Sequence, residues 1–270
     1  MTHAYGGPLR SLAARGTSKE GAVMRVPAIR GIIDRRILAN YHVDPEMIRQ
    51  ILPAPFEPQL VGGFAIAGIC LIRLKHIRPR FVPSQFGISS ENAAHRIAVE
   101  WEEDGQRKFG VYIPRRDTDS RLNAFIGGRL FPGEHHHARF RIDERDDRLS
   151  VAMLSDDGQA SVVVNARPAE WPPNTSVFES LQNASDFFAG GSLGYSATSQ
   201  AGRFDGLELR CQSWHVTPLS VERIESSFFD DPMRFPAGSI EFDCALVMRG
   251  IDHEWHARED LCCAKTATVP

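Results

Sequence analysis

The sequence is poor in several things that would have pointed directly to a function class. It has five cysteines in 270 residues, Cys70, Cys211, Cys244, Cys262 and Cys263, and no C-x-x-C pair. An odd number without ligand spacing indicates neither a disulfide framework nor a zinc site. Apolar runs are short: none reaches the roughly 20 residues of a membrane-spanning helix, and the first 30 residues lack the apolar core of a secretion signal. A cytoplasmic protein without membrane contact is the expectation. Charge of one sign is lacking too, with 31 basic against 34 acidic side chains, so no electrostatic footprint for nucleic acid exists. No G-x-S-x-G elbow and no dinucleotide fingerprint occur, which removes most of the weight from hydrolases and dehydrogenases. Gly190-Gly191-Ser192-Leu193-Gly194 is glycine-rich but follows a helical segment, and reads as a helix stop rather than a phosphate cradle.

What remains is an ordinary globular composition, 42% hydrophobic and 24% charged, in a chain long enough to bury a core without metal or disulfides. Residues 1–25 carry Arg10, Arg15 and Lys19 without apolar periodicity and are expected to be a disordered leader, with Met24 as an alternative start. Residues 26–260 are expected to form one domain and 261–270 a tail.

Arg35 to Val43 alternates as a strand. Asp44-Pro45 then supplies an N-cap and a first-turn proline for a short helix through Leu52. Gly63 to Leu74 is almost continuously apolar, as a central strand covered on both faces would be. Asp104-Gly105 and Asp157-Gly158 are dipeptides suited to tight hairpin turns. They join Ala93–Glu102 to Arg107–Ile113 and Leu149–Leu154 to Ala160–Ala166. Ser120–Leu130 and Val177–Phe188 have helical spacing, and later strands are expected at Leu207–Val216, Val221–Ser226 and Ile240–Met248. His253 to His256 fits one helical turn and reads as surface. Hairpins with few helices indicate an antiparallel α+β domain whose sheet curls into a barrel or sandwich, and such a barrel commonly encloses a small-molecule cavity.

His135-His136-His137 is the most conspicuous chemical feature. Strand alternation puts His136 with Ala138, Phe140 and Ile142, and therefore inward, and puts His135 and His137 with Arg139 and Arg141. An H-x-H pair can chelate a metal, but two arginines on that face would repel a cation, so no metal is expected. The strand from Ala93 gives a second inward histidine: His95 alternates with Ile97, Val99 and Trp101, while Arg96, Glu100 and Glu102 take the other side. An imidazole among apolar groups must find a hydrogen bond, and a core histidine satisfied by a backbone carbonyl is the plainest reading of a lone case.

Ile51-Leu52-Pro53, the strand from Gly63, the hairpin at Asp104-Gly105 with Gly110-Val111-Tyr112, and Arg129…Gly133 followed by Ala138 together resemble the uncharacterised bacterial YqjF-like family. That family is related to acetoacetate decarboxylase. The resemblance runs from about Ile33 to His256 and implies a mostly antiparallel, closed or nearly closed barrel with a central cavity and a few flanking helices. In acetoacetate decarboxylase, a Gly-Arg pair and a later glycine precede paired lysines, one of which forms a Schiff base with a keto acid. Gly128-Arg129 and Gly133 match that frame, but the lysine positions fall on His136 and His137. The chain has only four lysines, Lys19, Lys75, Lys108 and Lys265, and none is placed to substitute.

The resemblance and the alternation therefore lead to one expectation. A small-molecule ligand, carboxylate- or carbonyl-bearing, occupies a barrel cavity, with His136 as acid/base group and Arg129, His95, Tyr112 and Glu134 as ligand-binding residues. No cofactor is implied, and a homo-oligomer is left open. The competing expectation is a non-catalytic ligand-binding protein on the same fold.

Overall fold

The computed structural model describes residues 28–126, 133–145, 147–171 and 176–262. The expected leader, residues 263–270 of the expected tail and Arg129 lie outside them, while Leu261 and Cys262, expected in the tail, are the last residues of the final strand. The chain forms β1 (Ala28–Val43), α1 (Pro45–Ile51), β2 (Glu57–Pro58), β3 (Leu60–Val61), β4 (Phe64–Pro79), β5 (Ile88–Glu103), β6 (Gln106–Thr118) and α2 (Arg121–Ile126). It continues with β7 (His135–Arg145), β8 (Arg148–Ser155), β9 (Ser161–Pro168), α3 (Leu181–Gly190), β10 (Leu193–Ala197), β11 (Arg203–Cys211), β12 (Thr217–Ser226) and β13 (Ile240–Cys262).

Local chemistry accounts for several boundaries. The Asp44 side chain accepts from the Glu46 N–H at 2.9 Å, capping α1, with Pro45 in its first turn. The β5–β6 turn places Asp104 and Gly105 at φ +52° and +71°, the left-handed pair that matches strand twist in a two-residue hairpin. α3 starts later than the spacing suggests. Its N-cap is Ser180, accepting from the Asn183 N–H, because Ser176 is committed elsewhere, donating to Asp243 Oδ1 at 2.8 Å.

The sheet closes on itself. Successive pairings β6-β7-β8-β9-β12-β13-β1-β4-β5 return to β6, making a ring of nine strands. β13 is 23 residues long, long enough to pair also with β11, and β11 and β10 lead back to β6. A second circuit of seven strands results, sharing β13, β1, β4, β5 and β6 with the first. The shared strands have apolar material on both faces. Ile37, Ile69, Leu71, Ile97 and Val99 belong to one core cluster, whereas Leu38, Ile66, Cys70, Ile72 and Ala98 belong to another. That double burial is why β4 reads as a continuous apolar run.

The sheet is mostly antiparallel, as expected, and the exceptions among the described residues are the parallel pairings of β6 with β7 and with β10. Two other expectations are corrected. Residues 253–256 are not a surface turn of helix, because β13 runs through them and buries His253 against β1. And β11 ends at Cys211, leaving His215 exposed in the following connection.

Candidate functional site

A cavity of about 140 Å³ lies within the seven-strand circuit, and each of its strands contributes to the wall. The polar part of the wall is built by register. Leu38 pairs with Cys70, Cys70 with Ala94, Ala94 with Arg116, and Arg116 with His135. One row of neighbours thus crosses β1, β4, β5, β6 and β7. Cys70, Ala94, Arg116 and His135 line the cavity, joined by Arg36, Arg96, Ser90, Asn92 and Asn123. Ile72, Leu74, Ile77, Leu207, Leu209 and Trp255 supply the apolar part.

A bulge puts Arg116 there. Between the pairs His95–Arg115 and Ile97–Tyr112, β6 has two residues, Ile113 and Pro114, where β5 has only Arg96. The extra residue shifts the alternation, so Ile113 and Arg116 both line the cavity. Arg115 instead pairs with Asp117 and Asp157.

The three cavity arginines have little to neutralise them. Arg36 Nε donates to Cys70 Sγ at 3.3 Å, Arg96 donates to the Asn40 amide oxygen, and Arg116 Nε donates to Ser196 Oγ at 2.9 Å. Among the described residues none has a carboxylate within 4.0 Å. Asp117 also reaches the wall, but Arg115 holds its carboxylate in two-pronged fashion. Asp205 acts on Arg116 through space while accepting the Gly133 N–H at 2.9 Å. Burial pushes Arg96 and Arg116 down to about 10, which still leaves both charged at neutral pH. Among the described residues, Arg36 Nη1, Arg96 Nε and Asn123 Oδ1 are buried without a hydrogen-bond partner.

His135 is the imidazole of the wall. Its Nδ1 lies 3.1 Å from the Gly133 carbonyl, so Nδ1 carries the proton and Nε2 the lone pair. Burial, and then the charge on Arg116, push its pKa down to about 3 against the opposing effect of that hydrogen bond. Gly133 fits its place because its φ is +83° and a Cβ would stand 2.5 Å from Ser196 Cβ.

The residues singled out from sequence fall elsewhere. His136 is on the opposite face of β7 from His135; it sits 3.3 Å from Asp157, a third exposed, and does not line the cavity. His95 is wholly buried in the nine-strand ring against Phe228 and Phe229, and among the described residues neither ring nitrogen has a hydrogen-bond partner. Burial, then Arg115 and Arg234, hold it down to about 3. Tyr112 is buried in an aromatic cluster with Phe56 and Phe204. Glu134 is exposed. Arg129 lies outside the described residues. Alternation separated the two faces of β5 and β7 correctly, and the face read as inward is buried or half-buried, but parts of the other face are covered as well. Arg96 and His135 point into a second covered compartment. The signal available for Arg116 was Pro114, since a proline inside a strand marks a bulge or an edge.

Among the described residues no group of three or more His, Cys, Asp or Glu side chains could hold a metal ion, and no helix is long and apolar enough to cross a membrane. Lys75 is bound to Asp34 at 2.8 Å and Lys108 to Gln106 at 2.8 Å, both away from the cavity wall.

The family model DUF2071, described as an uncharacterized conserved protein (COG2071), matches residues 33–236. No curated protein matches the chain. Among solved structures, the chain is similar to the acetoacetate decarboxylase of Legionella pneumophila, with 13% identity, TM-score 0.54, and 95% of this chain and 99% of that one covered. It is similar to an acetoacetate decarboxylase-like enzyme from Sphingomonas wittichii RW1, with 10% identity, TM-score 0.53, and coverage of 93% and 98%. It is also similar to the enduracididine biosynthesis enzyme MppR complexed with pyruvate, with 12% identity, TM-score 0.51, and coverage of 97% and 100%. These likenesses establish an acetoacetate decarboxylase-like fold.

Proposed function

The chain belongs to DUF2071, a family of uncharacterized conserved proteins, and from that premise we propose that it binds a small carboxylate-bearing metabolite in the seven-strand cavity. One observation carries the reading: Arg36, Arg96 and Arg116 share a cavity wall without a carboxylate partner within 4.0 Å among the described residues. Unpaired charge under low-dielectric cover is costly, and an incoming anion relieves that cost. The guanidinium fork matches a carboxylate geometrically. A volume of about 140 Å³ suits a ligand of benzene-like size, and the neighbour MppR holds pyruvate, a small carboxylate.

The acid/base group of this reading is His135 rather than His136. A bound carboxylate would offset the Arg116 charge that disfavours the imidazolium, raising the pKa of His135 toward the range useful for proton transfer. No Schiff base is involved, because no described lysine lines the cavity.

The test is a thermal-shift series with acetate, pyruvate and benzoate against acetamide, pyruvamide and benzamide. Binding to the folded state alone raises Tm, so the carboxylates should raise it and the amides should not. Arg36→Met and Arg116→Met should each weaken binding roughly 10- to 100-fold, the value of a charge-assisted hydrogen bond. Equal shifts from acids and amides, or none from any, would overturn the reading.

A further inference from the structure

We propose that Cys70 is a nucleophilic thiol of this cavity, selective for carbon electrophiles that carry a carboxylate. The inference rests on the carboxylate-binding reading and goes beyond it by naming an atom that can bond to the ligand. Cys70 lines the cavity. Its cross-strand neighbour toward Arg116 is Ala94, whose methyl group leaves the space between thiol and guanidinium open. Arg36 Nε donates to Sγ at 3.3 Å. The nucleophilic form of cysteine is the thiolate, and a guanidinium stays charged throughout the working pH range.

A second observation points to the ligand independently of the thiol. Arg96 is only 7% exposed and lines the same cavity, and among the described residues its Nε is buried without a hydrogen-bond partner, as is Arg36 Nη1. These donors could seat a carboxylate beside Sγ. The other described cysteines do not line this cavity. Cys244 is fully buried and bonded to the Asn40 amide. Burial raises the pKa of Cys211, and Cys262 is exposed.

The chemistry balances without an oxidant or reductant. With an α-haloacid, the sulfur–carbon bond forms as the carbon–halogen bond breaks, the halide leaves, and the thiol proton passes to solvent. With an α,β-unsaturated acid, sulfur bonds to the β-carbon as the π bond breaks, and the proton ends on the α-carbon.

Iodoacetate and iodoacetamide deliver nearly the same carbon with and without a carboxylate, so their rates at each cysteine, read by peptide mass spectrometry on the intact folded chain, test the proposal. Iodoacetate should modify Cys70 about tenfold faster than iodoacetamide, one charge-assisted contact's worth, whereas Cys262 should show no such preference. Acetate should protect Cys70, and Arg36→Gln or Arg116→Met should remove the preference, either variant sufficing if the other does not fold. Cys70 reacting no faster with iodoacetate, or keeping its preference in both folded variants, overturns the proposal. Cys70→Ser separates the two readings. If acetate still raises the Tm of that variant while wild-type Cys70 shows no preference, the carboxylate site stands and the thiol role falls; if acetate shifts neither protein, both fall.

Discussion

Arg116 and His135 are paired residues of the parallel β6–β7 contact, and both side chains line one cavity. The first is a half-buried cation; the second is an imidazole that this cation helps to keep neutral. A carboxylate arriving between them changes the balance for both, and that coupling can be measured.

Acetate binding near pH 5.5 should therefore take up a fraction of a proton, because the anion raises a histidine pKa that starts at about 3. Calorimetry in buffers of different ionisation enthalpy reads this directly. The uptake should vanish in His135→Gln and persist in His136→Gln, whose imidazole faces Asp157 instead. The reverse result would return the acid/base role to His136.

Acid should destabilise the fold through three histidines. His95, His135 and His253 are held down to about 3, 3 and 4, chiefly by burial, against the ordinary 6.5. Between these values the unfolded chain binds more protons than the folded one. Their contribution is thus fully present above about pH 6.5 and is lost as pH falls toward 3. Each histidine contributes up to about 1.4 kcal/mol per pH unit. Urea unfolding at pH 7 and pH 5 should show the drop, and His95→Leu should reduce it by about a third; an unchanged slope would contradict the assignment.

Arg35→Met should cost about 3 to 5 kcal/mol, the penalty for breaking a buried ion pair by removing one partner. Arg35 has no exposed side-chain surface. It bonds Glu91 at 2.6 Å and also Glu144, joining β1 to β7 across the nine-strand ring. Glu91 and Glu144 would keep Arg73, and Glu144 would keep Arg249, which sets the lower end of the range. Chemical denaturation checks it, and a loss under about 1 kcal/mol would show the pair to be dispensable.

Borohydride with pyruvate or acetoacetate should leave no adduct on Lys75 or Lys108. Lys75 is 44% exposed and tied to Asp34, and neither lysine lines the cavity. A neutral amine nucleophile needs desolvation or a cationic neighbour to lower its pKa. A stable mass increase on either residue would revive the imine mechanism.

The features legible in the sequence were those decided within a few residues. Asp44-Pro45 at the start of α1, Asp104-Gly105 at the β5–β6 turn and the apolar run of β4 each depend on backbone preferences or on burial pattern alone. Alternation also stated correctly that His135 and His136 face opposite ways. It could not state that His135 leads to the cavity, because the face it shares with the exposed Arg139 and Arg141 is covered only at the start of β7, where the strand meets β6. Ring closure through β13 and β11, the bulge at Ile113-Pro114 and the parallel β6–β7 pairing are contacts between distant segments. Together they decided that His135, Arg116, Arg96 and Cys70 share one wall. No local preference encodes that assembly, since each of those residues reaches the wall only through the register of a strand against its neighbours.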